Sequence, residues 1–514
     1  MRLPLSKLRF VHGGLNTHII TTPSCRPLLL QHARPLQQQG LRLQIASKIA
    51  QYSSNMSTEL DNTTFTVPIV RGKISSSSSN ELDRSLFDLH VRTAAIDLPD
   101  ARLTPQILKT GIEDVLKVRS LSNISKFVDQ NGVKKHLIIL KPEFTENDFD
   151  KLKPELRELL QNNGIKNLVP YTINIGYNFW KTDDLLASIL PEELHAEIPT
   201  GFSTTGHIAH MNIRPQYLPF KRIIGQIILD KNPSIRTVVN KLDSIDTVFR
   251  TFEMEVIAGE ENFNVEQSES GCKFQFDFAK VYWNSRLGTE HGRLIDTFKP
   301  GEAVCDVFAG VGPFAVPAGK KNVFVLANDL NRHSFASLAN NIDINNVTNR
   351  VIPYNIDGRQ FIKSSISELK RYTEIRKQFT YNDPVKRVKN FKTGRSVPAK
   401  VTVTIPTLPH HYAMNLPATA IEFLDAFRGL FKGQAADAEL PMVHVYCFHK
   451  ADLDNPKPDD QTIHNALHER VCTALGFDIA FDELSVHFVR AVAPTKTMHC
   501  VSFRLPKEVA FANN

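Results

Sequence analysis

Residues 306–314 read Asp-Val-Phe-Ala-Gly-Val-Gly-Pro-Phe and constrain the fold more than any other stretch of the chain. They follow the apolar residues 303–305, which are typical of a buried strand. Gly310 and Gly312 allow a tight turn and the close approach of a ligand to the backbone. A helix that begins near Phe314 would direct its free amide groups at that ligand. The pattern predicts the first strand–turn–helix unit of a nucleotide-binding α/β sheet.

Two further motifs indicate which nucleotide is bound. An apolar run at 323–327 ends in Asn328-Asp329, and an acid at this point of such a unit commonly binds ribose hydroxyls. The glycine spacing differs from the G-x-G-x-x-G of dinucleotide-binding folds, which argues against a dehydrogenase. Asn415-Leu416-Pro417, after a later apolar run, is typical of methyltransferases that hold a planar nitrogen group. We therefore interpret the site as binding S-adenosylmethionine for methyl transfer.

Composition excludes little but sets useful limits. The 514 residues are enough for two or three domains with proper cores. The net charge of +7 suits a polyanionic partner. No apolar run approaches the ~20 residues that a membrane-spanning helix needs, so we expect no membrane association. The scattered cysteines favour neither a zinc site nor a disulfide framework. His207 and His210 are expected to pack or hydrogen-bond, and no metal is predicted.

The first 58 residues differ in composition from the rest. They are basic, rich in Ser, Gln and Leu, and contain no acid before Glu59. This composition predicts a mitochondrial transit segment over 1–56, with an ordinary disordered tail as the alternative. Met56 stands where the composition changes. Initiation there would yield a shorter product for the cytoplasm and nucleus, beside the mitochondrial matrix.

The remaining pattern predicts three modules. Residues 57–199 read as a smaller N-terminal α/β module, with a strand at 134–140 and a helix at 150–161, for tRNA docking or a structural role. Residues 200–295 read as an α+β module. From 296 to 514, strands and helices alternate regularly, which predicts a doubly wound Rossmann-like methyltransferase sheet with its ligand at the carboxyl ends of the strands. The sheet's strands are expected near Val304, Phe324, Ile352, Tyr412, Val445, Phe488 and Val501.

A basic insertion at 364–400 interrupts the methyltransferase domain. It is rich in Lys and Arg and carries the aromatic residues Tyr372, Phe379, Tyr381 and Phe391. We expect a loop beside the site. Such a loop would either contact phosphates and stack on bases or simply be solvated.

With these motifs assembled, the chain closely resembles the eukaryotic and archaeal tRNA (guanine-37, N1)-methyltransferases over roughly 200–506. Asn284 stands where these proteins often have proline. The segments that carry the resemblance are 207–214, 231–233, 238–241, 279–290, 306–314, 415–417 and 492–494.

The resemblance implies methylation at N1 of the guanosine that follows the anticodon. The partner would be tRNA, through its anticodon stem-loop and its body, bound by a monomer. Guanine N1 carries a proton, so a base must remove it while O6 gathers negative charge, and a carboxylate and a guanidinium suit these tasks. Glu290 matches the family's general base, Arg250 its O6-contacting arginine and Asn415 the residue that orients the base.

Other residues match cofactor contacts of the family. These are His291, Asp306, Gly310, Gly312, Asp329, Leu330, Asp357, Gly358 and Asn415.

Simpler roles remain open for the two charged candidates. Glu290 could be an exposed carboxylate at a helix start, and Arg250 a surface ion-pair partner. Two other functions also remain: a transferase of the aminocarboxypropyl group at the same tRNA position, and a non-catalytic RNA-binding protein. The Asn-Leu-Pro segment and the Arg250–Glu290 pairing favour methyl transfer.

Overall fold

The structure is a computed structural model that describes residues 65–71, 82–129, 132–245, 252–389, 395–451 and 458–513, with backbone only at 243–245, 252 and 383–386. The predicted transit segment 1–56, Arg250 and Phe391 lie outside the described residues. Within these ranges, no helix combines the length and the apolar character needed to span a membrane.

The described residues belong to two compact units. One takes in Phe65 and Arg92–Ile173, and the other takes in Thr66–Val91 and the described part of Asn174–Asn514. The strands are β1 (Leu89–Asp97), β2 (Ile124–Val128), β3 (Lys134–Ile139), β4 (Val169–Ile175), β5 (Ser203–Thr205), β6 (Ile208–Met211), β7 (Thr237–Ile245), β8 (Phe252–Gly259), β9 (Asn264–Glu269), β10 (Cys272–Asp277), β11 (Ala303–Asp306), β12 (Phe324–Asn328), β13 (Val351–Tyr354), β14 (Gln378–Lys389), β15 (Ser396–Thr404), β16 (His411–Met414), β17 (Met442–Lys450), β18 (Leu484–Ala493) and β19 (Lys496–Arg504). The α-helices are α1 (Thr104–Thr110), α2 (Pro154–Asn162), α3 (Thr182–Ile189), α4 (Lys221–Lys231), α5 (Gly288–Thr297), α6 (Ala315–Lys320), α7 (Arg332–Ile344), α8 (Gly358–Arg376), α9 (Asp460–Leu475) and α10 (Lys507–Ala510).

The first unit is built on a four-stranded sheet of order β2-β3-β1-β4. Its core includes Ile96, Ile138, Leu156 and Leu160. The strand predicted at 134–140 is confirmed as β3. The helix predicted from residue 150 begins only at Pro154, because proline fits the first helical turn, where its missing N–H forfeits no hydrogen bond.

A seven-stranded sheet of order β13-β12-β11-β16-β17-β19-β18 forms the centre of the second unit. The order confirms the predicted doubly wound fold. Strands β11 and β12 are buried throughout, as expected for parallel strands covered on both faces. Strand β19 runs antiparallel to both of its neighbours.

Register aligns residues from the last three strands of this sheet. Cys500 of β19 pairs with Tyr446 of β17 on one side and with His487 of β18 on the other. The pairing of β18 with β19 is regular from Leu484 to Phe488, and its irregularities come only after Phe488. Tyr446, Cys500 and His487 therefore form a row across the sheet, with side chains on one face.

The loop predicted for the basic insertion is wrong. Helix α8 runs on to Arg376, and β14 and β15 then form an antiparallel hairpin. Phe379 is buried and its ring lies 6.5 Å from that of Phe324, while the Tyr372 ring lies 5.9 Å from the same ring. These two aromatic rings pack against the sheet and do not serve base stacking. The alternation of Phe379 and Tyr381 was a strand signal that the surrounding charges concealed.

The chain before the large sheet places the helix that carries Glu290. Strands β5-β6-β7-β8 form a sheet of their own, and β9 and β10 form a hairpin. Asn341 of α7 and Asn345, the residue that caps the end of this helix, hold the hairpin. The Gln275 backbone N–H donates to Asn341 Oδ1 (2.8 Å) and that of Lys273 to Asn345 Oδ1 (3.0 Å). A 3-10 turn, Ser285–Leu287, then leads directly into α5.

Candidate active site

The glycine turn after β11 takes the form that its sequence predicts. Gly310 and Gly312 have φ values of +55° and +100°. A Cβ on Gly312 would lie 2.8 Å from both Leu338 Cδ1 and Val316 Cγ2, so this glycine is required by packing. A Cβ on Gly310 would meet no described atom within 4 Å. The turn therefore leaves open space at Gly310, where a ligand can approach the backbone.

Asp306, at the end of β11, is a buried carboxylate for which the described residues offer only a backbone contact from Phe308. It is fully buried, and neither of its carboxylate oxygens has a hydrogen-bond partner of ordinary geometry. Burial, with Asp329 nearby, raises the pKa of Asp306 well above its ordinary value. A buried group of this kind calls for a donor from outside the chain. The donor groups of S-adenosylmethionine, an ammonium and ribose hydroxyls, fit this need.

Asp329 connects the end of β12 to the glycine turn. Its Oδ2 accepts a hydrogen bond from Gly310 N (2.8 Å), and its Oδ1 accepts one from Asn331 N (2.9 Å). Burial raises the pKa of Asp329. Each carboxylate oxygen can accept a second hydrogen bond, so the arrangement still suits a ribose hydroxyl pair.

Asn328 is a structural residue of the site that sequence reasoning missed. Its Nδ2 donates to the carbonyls of Val307 (3.1 Å) and Ile356 (3.0 Å), and its Oδ1 accepts from Ile356 N (3.0 Å). One buried amide thus joins the segments that follow β11 and β13. The signal was present in the sequence, because a polar residue ends an otherwise apolar strand.

The segment after β13 has local structural roles beside its predicted cofactor contacts. Asp357 caps α8, with Oδ1 accepting from Arg359 N (2.9 Å) and Gln360 N (3.2 Å). A Cβ on Gly358 would meet the ring of Phe308 at 2.9 Å, which explains that glycine by packing. The Leu330 side chain is exposed. Contacts of Asp357, Gly358 and Leu330 with a cofactor stay predictions.

Glu290 is the third residue of α5 and is almost completely buried, with 6% of its surface exposed. Arg293 grips both carboxylate oxygens, with Nε 2.7 Å from Oε2 and Nη2 2.6 Å from Oε1. The Tyr446 hydroxyl donates to Oε1 at 2.8 Å. The alternative of an exposed carboxylate at a helix start is therefore wrong. Tyr446 could not have been found from sequence, because it lies far along the chain. Arg293 could have been, because it follows Glu290 at the i+3 spacing that brings helix side chains together.

The two groups bonded to Glu290 keep fixed protonation states. The Glu290 carboxylate raises the pKa of Arg293, so the guanidinium stays charged. Burial raises the pKa of Tyr446 well above its ordinary value, so the phenol keeps its proton. Both therefore act as permanent hydrogen-bond donors to the carboxylate.

Asn415 follows β16 directly and lies at the same register level as Tyr446. The last pair of β16 and β17 is Met414↔Val445, and the Phe448 N–H donates to the Pro417 carbonyl (2.9 Å), which continues this register. Asn415 Oδ1 is buried and has no hydrogen-bond partner among the described residues. The structure thus brings Asn415 alongside the residue that holds Glu290.

His291 lies between two other side chains. Its Nδ1 is 2.6 Å from Glu269 Oε1, and its ring meets the ring of Phe314 edge-on with centroids 4.7 Å apart. A structural role is therefore evident, while its cofactor contact stays a prediction.

Histidines elsewhere also have partners. His207 Nε2 lies 3.1 Å from the Asn262 carbonyl oxygen, and the His210 ring packs against Phe278 with centroids 5.2 Å apart, so the predicted packing and hydrogen bonding is confirmed. In the described ranges, potential metal ligands converge at one group, whose ligand atoms lie within 4.8 Å of one another: His468, Cys472 and Asp478. The group lies on and just after α9, and His468 Nε2 already lies 2.7 Å from the Ile479 carbonyl oxygen.

A family model of the TYW2 N-terminal domain matches residues 182–262, and one of the TRM5/TYW2 methyltransferase domain matches 265–390. A tRNA (guanine(37)-N(1))-methyltransferase of Candida albicans is 43% identical over 457 residues, 87% of this chain and 98% of that protein. The protein of that description from Schizosaccharomyces pombe is 45% identical, over 84% and 95% respectively. A solved complex of aTrm5 with tRNALeu is 19% identical with a TM-score of 0.49, covering 80% of this chain and 100% of that one.

Proposed function

Because the chain belongs to the tRNA (guanine(37)-N(1))-methyltransferase family, we propose that it transfers the methyl group of S-adenosylmethionine to N1 of guanosine 37 of tRNA. One observation carries the assignment of the chemistry: the buried Glu290 carboxylate is bonded to Tyr446, one strand from Asn415. A buried carboxylate at this position suits a group that takes a proton from a ring nitrogen.

The hydrogen bonds of Glu290 indicate which oxygen accepts that proton. Oε1 accepts from both Tyr446 Oη and Arg293 Nη2, which fills the two acceptor positions of a carboxylate oxygen. Oε2 accepts from Arg293 Nε alone among its hydrogen bonds. Oε2 therefore keeps a free acceptor position for the N1 proton. Arg293 and Tyr446 keep Glu290 oriented while this proton is transferred.

Asn415 is suited to orient the guanine. Its buried Oδ1 lacks a partner, and the exocyclic amino group of guanine is a donor next to N1. A buried acceptor that lacks a hydrogen bond costs about 1–3 kcal/mol. A purine that supplies the missing donor to Asn415 Oδ1 is therefore favoured. Arg250 is expected to stabilise the charge on O6.

The cofactor is proposed to lie over the glycine turn. When bound, S-adenosylmethionine supplies an electrophilic methyl group. Asp306 provides a buried negative charge for its donor groups, Gly310 gives it room at the backbone, and Asp329 faces its ribose. Exclusion of water around Asp306 strengthens each of these electrostatic contacts.

The assignment is tested by methyl transfer to tRNA transcripts that carry either guanosine or adenosine at position 37. We expect transfer from labelled S-adenosylmethionine to the first transcript only, and mass spectrometry of the digested nucleosides should show 1-methylguanosine. A larger, aminocarboxypropyl adduct would overturn the proposed reaction. Binding of both cofactor and tRNA without any product would mean a non-catalytic RNA-binding protein.

We further propose that the protein acts as a monomer on the anticodon stem-loop and the body of tRNA. The basic hairpin β14–β15 supports the binding of tRNA, because it carries exposed cations such as Lys389 and Lys400, which suit phosphate contacts. Light scattering of the complex with one tRNA tests the stoichiometry, and a 2:2 complex would contradict a monomer.

The location in the cell is also a proposal. The basic N-terminal composition supports import into the mitochondrial matrix, with a product from Met56 in cytoplasm and nucleus. Fractionation of cells that express Met56→Ala tests this, because the cytoplasmic and nuclear product should disappear. Its persistence in those fractions would contradict the second start.

A further inference from the structure

His487 approaches the free side of the Glu290 carboxylate. Its Nε2 lies 3.3 Å from Glu290 Oε2, the oxygen that keeps an acceptor position. The His487 side chain is 45% exposed, whereas Glu290 is 6% exposed. We propose that His487 is a positioning residue whose charge state sets how readily Glu290 accepts the N1 proton. This inference rests on the proposed function of Glu290.

The register of the sheet fixes the backbone position of His487 and the face that its side chain occupies. It pairs directly with Cys500, which in turn pairs with Tyr446. The row across β17, β19 and β18 thus places a phenol and an imidazole on the same face, and both reach the one carboxylate. Tyr446 binds Oε1 and His487 lies against Oε2.

The other groups bonded to Glu290 cannot switch charge near neutral pH. The carboxylate raises the pKa of Arg293, and burial raises that of Tyr446. Both keep their protons throughout the physiological range. An imidazole, by contrast, ordinarily changes charge between about pH 5 and 8.

Cys500 and His499 keep one charge state near neutral pH, and His449, His464 and Asp460 also act electrostatically on His499. Burial raises the pKa of the Cys500 thiol to about 11. Burial, with other histidines nearby, lowers the pKa of His499 to about 4. Arg490, on the same strand, stays charged as any arginine does. Arg293, Tyr446 and His487 are the described side chains that contact the Glu290 carboxylate, and of these three the imidazole is the one whose type can change charge near neutrality.

The charge of His487 has a definite effect on Glu290. A protonated imidazole donates toward Oε2, competes with the guanine N1–H for that oxygen, and lowers the basicity of the carboxylate. A neutral imidazole lacks the positive charge and so weakens both effects, although its remaining N–H can still donate. Loss of the His487 proton should therefore speed proton abstraction, so the chemical step should accelerate as the pH rises.

The test compares single-turnover methyl transfer from about pH 5.5 to 8.5 in the wild type, His487→Gln and His487→Lys. Wild-type rates should rise about tenfold or more across this range, with an inflection in the pH profile. His487→Gln should lose the inflection and run near the upper wild-type rate throughout, because glutamine is never charged. His487→Lys carries a permanent charge and should be slow at every pH.

Ser485→Ala is the matched control, since Ser485 is exposed on the same strand, two residues earlier and on the same face. It should keep the wild-type profile.

Retention of the wild-type inflection in His487→Gln would overturn the role of His487. Glu290→Gln separates this failure from that of the proposed function. A slow Glu290→Gln beside an unchanged His487→Gln rejects only the inference, whereas a wild-type rate in Glu290→Gln removes the base itself. Thermal unfolding confirms that each variant is folded.

Discussion

Tyr446 Oη donates a 2.8 Å hydrogen bond to Glu290 Oε1 across 156 positions of sequence. The bond joins the first turn of α5 to a central strand of the large sheet. Because Tyr446 is level with Asn415 in the register of β16 and β17, the same bond connects the proposed proton acceptor to the residue proposed to orient the purine.

Replacing Glu290 with glutamine should abolish base catalysis while leaving cofactor binding unchanged. The amide keeps the shape of the side chain but cannot accept the N1 proton, so single-turnover methyl transfer should fall about 100-fold or more. Calorimetry should show an unaltered affinity for S-adenosylmethionine. Asp296→Asn is the control, since Asp296 is an exposed acid on the same helix. A full rate in Glu290→Gln would remove it from the mechanism.

Loss of the Tyr446 hydroxyl should destabilise the fold more than loss of a comparable neutral hydrogen bond. Tyr446→Phe removes a bond to a buried charge, worth about 1.5–3 kcal/mol of unfolding free energy. Tyr412 is equally buried, but its hydroxyl lies 2.6 Å from the neutral Ser365 Oγ. Tyr412→Phe should therefore cost only about 0.5–1.5 kcal/mol. Urea unfolding of both variants makes the comparison, and equal losses would mean that the bond to Glu290 contributes no more than a neutral hydrogen bond.

The two glycines of the cofactor turn should respond differently to alanine. Gly312→Ala forces a Cβ against Leu338 and Val316 at a positive φ, so stability should fall by about 1–3 kcal/mol. Gly310→Ala places its methyl group in open space, so stability should fall less. Its methyl group would occupy the proposed cofactor cleft, and affinity for S-adenosylmethionine should fall more than in Gly312→Ala. The reverse ranking of affinities would place the cofactor elsewhere.

Without cofactor, Asp306→Asn should be more stable than the wild type, and this difference should grow as the pH rises. Burial raises the pKa of Asp306, so the folded state binds this proton more tightly than the unfolded chain does. Such a group contributes stability below its unfolded pKa, and that contribution is lost as the pH rises through the folded value. The advantage of Asp306→Asn should thus be absent near pH ~4 and grow toward neutrality. Denaturation at several pH values measures the difference in unfolding free energy between Asp306→Asn and the wild type. A difference that does not change with pH would contradict the prediction. Cofactor affinity should fall in the same variant.

Short-range patterns carried most of what could be predicted. The strands of the large sheet were visible because parallel strands are buried on both faces and therefore form unbroken apolar runs, such as 323–327. Gly310, Gly312 and Asp329 could be placed because turn geometry depends on adjacent residues. The long α8 and the hairpin β14–β15 were missed because charged residues at 364–400 obscured their periodicity.

The long-range partners of the site could not be predicted in the same way. Tyr446 and His487 meet Glu290 only through the pairing of three strands, and register depends on tertiary packing. Asn328 links segments that are distant in sequence. Each of these residues looks like an ordinary strand residue until the sheet order is known.

The irregularities in the pairing of β18 with β19 begin only after Phe488. The residues of β18 before that point keep a fixed register with β19, whereas the segment after it can accommodate an added or lost residue. Length changes at the tip of this hairpin would be absorbed before reaching His487. A single deletion between Leu484 and His487 would instead turn the imidazole to the opposite side of the sheet. Tolerance to insertions and deletions should therefore change abruptly within one strand.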